Sequence, residues 1–73
     1  MASAAESILE QCHINYCMSI FKMFLSNEIT QQTFIHNYYY TMKPLSQNYQ
    51  FPIPEAISIY IDQLEYPGYH KSS

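Results

Sequence analysis

Residues 30–44 read TQQTFIHNYYYTMKP: one phenylalanine, one histidine and three consecutive tyrosines, with no charge before Lys43. Whether this stretch is strand or helix decides the fold. Thr, Phe, Ile and Tyr all favour strands. A half-buried strand alternates apolar and polar residues, and this stretch does not. Phe34, Ile35, Tyr38 and Met42 recur instead at spacings of three and four, with Tyr39 near them, which is one face of a helix. Ile29-Thr30 has the form of a hydrophobic staple followed by an N-cap. Pro44 disfavours helical backbone at Lys43. The expectation is a helix over roughly residues 30–43, closed by Pro44.

Upstream, residues 3–25 read as one long helix. Ser3 with Glu6 has the capping-box form, and Glu6 suits the positive end of the helix dipole. One apolar stripe runs through Ala5, Ile8, Leu9, Cys12, Tyr16, Ile20 and Met23. A second, with Ile14, Cys17, Met18, Phe21, Phe24 and Leu25, makes the latter half apolar nearly all round, as in a helix held between neighbours. Ser26-Asn27-Glu28 is a polar break.

Downstream, residues 44–53 carry two prolines and three amides and read as an extended linker packed by Leu45, Tyr49 and Phe51. Pro54-Glu55 then opens a third helix whose face is Ala56, Ile57, Tyr60, Ile61 and Leu64. Pro67-Gly68 ends it. The expected fold is all-α, a small three-helix arrangement with the long N-terminal helix packed on a helical hairpin. Residues 1–66 form one domain in this reading, and 67–73 a flexible tail.

Composition narrows the function. The chain has 73 residues, of which 48% are hydrophobic and only 12% charged, against about 25% charged in ordinary domains. A domain this small buries only about 60% of its unfolded surface. Apolar surface left over, with so little charge to solvate it, points to a partner. The net charge is −3 with three lysines and no arginine, which cannot build a phosphate-neutralising footprint. Direct nucleic-acid binding is therefore not expected. The start lacks a signal peptide's basic region, and the run 14–25 is too short to span a bilayer. The location expected by elimination is intracellular, cytoplasmic or nuclear, with Cys12 and Cys17 as free thiols acting as small buried hydrophobes.

The chemistry-bearing residues are few. His13 and Cys17 share a helix face, while Cys12 and Cys17 lie about 140° apart around the axis. A structural zinc wants four ligands, so a metal-stabilised mini-domain on Cys12, His13 and Cys17 would need His36 or His70 from elsewhere. No nucleophile has an orienting triad, and the single glycine, Gly68, cannot make a phosphate loop. No enzyme activity and no cofactor are expected. Tyr38, Tyr39 and Tyr40 cannot all face one core, because successive helical residues are about 100° apart. An outward tyrosine beside apolar neighbours is an interface anchor.

The segment FIHNYYYTM, residues 34–42, resembles the first-helix segment of the NTF2-like family, in which an aromatic or aliphatic pair precedes a Tyr-Tyr pair. Ile59-Tyr60-Ile61-Asp62 is similar to the aliphatic–tyrosine strand that follows there, and Leu64 to Gly68 to the next turn. That family's fold continues into a long curved sheet. The resemblance implies a truncated remnant that acts by docking to a partner, and it transfers no functional residue.

The reading is a small non-enzymatic regulatory or adaptor protein. It binds a larger protein, or a second copy of itself, through an apolar, tyrosine-rich helical surface built on Phe21, Phe24, Tyr39 and Tyr40. A membrane-peripheral peptide using residues 14–25 is an alternative, with Lys22 as its sole support against the lysine-rich face such helices usually carry.

Overall fold

The structure, a computed structural model, describes residues 4–65. Among them the chain makes three helical rods and no strand. Helix α1 spans Ala4–Leu25. The second rod starts as α2, Gln31–Asn37, passes through a wide π turn at Tyr38–Met42, and finishes as α3, Lys43–Tyr49. Helix α4 spans Glu55–Glu65. The fold is all-α, with the long first helix packed on the hairpin of the other two. Ser3 of the expected capping box and the expected tail 67–73 lie outside the described residues.

The first break is a tight reversal with its own hydrogen bonds. Asn27 takes φ 64°, which lets its N–H reach the Phe24 carbonyl and the Glu28 N–H reach that of Met23. This pair of bonds is a Schellman closure that satisfies the last carbonyls of α1. Asn tolerates the left-handed backbone better than most residues. Thr30 then caps α2, its hydroxyl accepting from the Thr33 N–H at 3.1 Å, and Ile29 packs against the core as expected of a staple.

The expected stop at Pro44 is corrected. Lys43, the residue before the proline, keeps helical angles of φ −64° and ψ −47°, and the rod runs on to Tyr49. The reason lies in the preceding turn. A proline in an α-helix lacks a donor and its ring collides with the carbonyl four residues back. Here the Lys43 N–H reaches five residues back, to Tyr38. The widened turn gives the ring room without breaking the rod. The expected linker 44–53 shrinks accordingly, and only residues 50–54 lie outside helices. Gln50 ends α3 at φ 59°, with the Phe51 N–H returning to the Ser46 carbonyl. Pro54 stands just ahead of α4, its carbonyl accepting from the N–H groups of Ile57 and Ser58.

All three rods supply the core. Helix α1 gives Cys17 and Phe21, the second rod Phe34 and Met42, and α4 Ile57 and Ile61. Each pair within a rod is spaced by a multiple of four, so each rod buries one narrow line of side chains. Full burial of each large member stabilises by about 1.5–3 kcal/mol. Ala56, expected on the inner face of α4, is exposed. An aromatic cluster fills the end near the first turn. Phe24 stacks on Phe34 at 5.1 Å, Phe21 lies 5.4 Å from Phe34, and Tyr60 lies 5.3 Å from Phe24. Ring pairs of this kind add roughly 0.5–1.5 kcal/mol beyond their burial. By contrast, residues 4–12 of α1 are all exposed and extend past the core.

Candidate functional site

The π turn sorts the three tyrosines into three environments. Tyr38 is half-buried and packs against the core, its ring edge-on to Tyr39 at 5.0 Å and 86°. Burial, with the negative charges of Glu65 and Asp62 nearby, raises its pKa. Tyr39 is 36% exposed. Its hydroxyl donates to the Glu65 carboxylate, and the Lys43 ammonium lies 5.4 Å from its ring centroid, within cation–π range. Hydrogen bonding to Glu65, then burial and the charges around it, push its pKa up to about 12. Tyr40 is 72% exposed and lies against the His36 ring at 4.3 Å and 29°.

This arrangement displays rings at little entropic cost. Tyr39 is fixed at both ends, by Lys43 over its face and Glu65 at its hydroxyl. Tyr40 is braced on one face by His36, which leaves the other face open. Stiff, amphipathic rings of this type carry binding energy at protein interfaces. Among the sequence-derived candidates, Tyr39 and Tyr40 are both exposed neighbours in the π turn, Tyr39 tied to Glu65 and Tyr40 stacked on His36. Phe21 and Phe24 do not join them. Phe21 is only 8% exposed and belongs to the core, which removes it from the set of surface anchors. Its place four residues after Cys17 on the inner line of α1 is the reason. Phe24 is half-buried, one face held by Phe34.

Sequence reasoning missed His36, Lys43 and Glu65 as supports of this surface. The first two had a signal: His36 with Tyr40 and Lys43 with Tyr39 are each four apart on one rod. Glu65 lies 26 residues from Tyr39, and no local pattern links them.

The thiol region differs from expectation at one residue. Cys17 is fully buried, but Cys12 is exposed rather than buried. The two are five apart on a straight helix and face different sides. The Cys17 sulfur and His13 Nε2 are 3.6 Å apart. Burial pushes the Cys17 thiol up to about 11, away from the lowered values of reactive cysteines. His13 Nδ1 is buried and has no hydrogen-bond partner among the described residues, and the Phe51 ring lies 5.6 Å from the imidazole. His36 is engaged at the π turn, and His70 lies outside the described residues. Among the described residues no three His, Cys, Asp or Glu side chains gather where they could hold a metal ion.

Of the run 14–25, Cys17 and Phe21 are buried, and Met18, Ile20 and Phe24 pack on the core, so much of its apolar surface faces the other rods. Among the described residues no helix is long and apolar enough to cross a membrane. The segment Ile59–Asp62, which the NTF2-like resemblance would lay down as strand, is helical here. Comparison of the chain with protein-family models, with curated proteins and with solved structures finds no match.

Proposed function

We propose that this chain is a small non-enzymatic, intracellular binding module that docks to a larger protein through the tyrosine surface of its π turn. The observation that carries the reading is the large exposed ring of Tyr40, which is 72% exposed and has one face stacked on His36. Tyr39 extends the surface, and Lys43 and Glu65 supply polar contacts at its rim. The mechanism is occupancy: a few braced rings cover a site on the partner and exclude water from it. No pair of side chains described above combines a nucleophile with a base and an orienting group, and this supports a binding role over a catalytic one.

The test is affinity capture with wild-type chain and with Tyr40→Ala and Tyr39→Ala. Truncating a central tyrosine anchor typically costs about 2 kcal/mol, near thirty-fold in affinity. The expected result is loss of the same captured protein by both variants, with circular dichroism unchanged. Retention of every captured protein by both variants rules the surface out.

A further inference from the structure

Among the described residues His13 is the only buried polar side chain. Its Nε2 faces the Cys17 sulfur at 3.6 Å, and its Nδ1 has no hydrogen-bond partner among those residues. Its ring lies against Phe51, with centroids 5.6 Å apart and planes tilted by 45°, which is within the range of favourable ring pairs.

Phe51 belongs to the connection between α3 and α4, and that connection closes on itself. The Phe51 N–H donates to the Ser46 carbonyl, and the Ser46 hydroxyl donates to the Phe51 carbonyl. Tyr49 stacks on Phe51 at 5.4 Å and 17°. None of these contacts involves α1. The ring contact that ties this segment to the first helix is the one with His13.

A neutral imidazole has one N–H and one lone pair, whereas a charged one has two N–H groups and a positive charge. The surroundings of His13 offer the charged form nothing. Burial pushes the Cys17 thiol up to about 11, so it stays neutral and is no counter-ion. On α1, Glu6, Glu10 and Lys22 are exposed, as are Glu28 after it and Glu55, Asp62 and Glu65 on α4. The second rod carries no carboxylate; its Lys43 is held over the Tyr39 ring and its His36 is stacked on Tyr40. Of the nearby phenols, Tyr16 donates to Asn37 and Tyr49 is exposed beyond Phe51. An unpaired charge is expelled from such a place rather than kept. Once outside, the imidazolium gains water and the carboxylate of Glu10, three residues earlier on the helix.

We propose that His13 is a proton-operated latch. Neutral, it stays in the core and seats Phe51 on α1. Charged, it leaves the core and frees residues 46–51, with the stacked pair of Tyr49 and Phe51, from the first helix. The unlatched chain binds the extra proton, so stability is whole at neutral pH and falls on acidification. An imidazole in an open chain charges near about pH 6.5. One extra proton lowers the folding constant by at most about tenfold for each pH unit below that. None of the latch residues belongs to the tyrosine surface of the π turn, so this device stands independently of the proposed docking role.

Denaturant unfolding of the full, reduced chain at about pH 7 and about pH 5.5 tests the latch, since the carboxylates charge mostly below this window. The chain has three histidines. With His36→Gln and His70→Gln in place, His13 is the one imidazole left. The folding constant of that chain is expected to fall several-fold on acidification, with about tenfold as the ceiling. Adding His13→Leu abolishes the fall. Hydrogen exchange, corrected for the pH dependence of the chemical rate, locates the opening: residues 46–51 lose more protection at the lower pH than residues 34–42. The double variant and its exchange pattern decide the matter even where His13→Leu fails to fold. A folding constant that moves by less than about twofold overturns the proposal, as does a fall that survives His13→Leu. Equal loss of protection in both segments overturns it too, because the whole core then loosens together.

Discussion

The hydroxyl of Tyr39 donates to the carboxylate of Glu65, joining the middle of the second rod to the last described turn of α4 across 26 residues of sequence. The bond needs a proton on the phenol. Once Tyr39 ionises, two negative groups face each other and the donor is gone. In the folded state its pKa is pushed up to about 12, whereas an unfolded chain titrates tyrosine near about 10. The contribution to stability is therefore whole below about pH 10 and is lost as pH climbs from there through about 12. Tyrosinate absorbance should show a late-titrating component that Tyr39→Phe removes. An unchanged titration curve in that variant dissociates the shift from this bond.

The two thiols should react on different schedules. Cys12 is exposed and Cys17 is buried with its thiol pushed up to about 11. Alkylation of the native chain at neutral pH is expected to modify one site, mapped to Cys12 by mass spectrometry. Cys17 should follow only in denaturant. Equal labelling rates for both under native conditions contradict the packing of α1 on the other rods.

His13 is only 6% exposed, and its Nδ1 has no hydrogen-bond partner among the described residues. Leaving a buried polar atom unsatisfied costs about 1–3 kcal/mol. His13→Leu removes that cost while keeping apolar contact with Phe51. A gain of about 1 kcal/mol is expected, which for a domain of this size raises the melting temperature by roughly 4–8 °C. A variant that melts lower than wild type shows that the imidazole contributes more than its replacement by a hydrocarbon can restore.

The rods were legible where short-range rules act alone. Thr30 as a cap, the four-residue spacing of Phe34, Tyr38 and Met42, and the Pro54-Glu55 opening all rest on neighbours within about one turn. Pro44 was misread because the rule for the preceding residue is a preference and not a ban, and Lys43 takes helical angles all the same. Phe21 and Phe24 were equally apolar on paper. Phe34 and Tyr60 touch both rings, and which of the two the rest of the fold closes over is a tertiary fact. Cys12 was misjudged because burial of α1 begins at His13, and where the other rods stop is a tertiary fact. Glu65 at the Tyr39 hydroxyl belongs to the same class.

The wide turn at Tyr38–Met42 also bears on tolerance to length change. A π turn carries one residue more than an α turn over the same stretch of axis. Deleting one residue between Tyr38 and Met42 would let the segment fall back to α geometry with both ends still in line. The proline ring would then meet the carbonyl it now avoids, so such a deletion is sustainable only if Pro44 is replaced in the same step. The surplus residue and the proline are in this sense a matched pair.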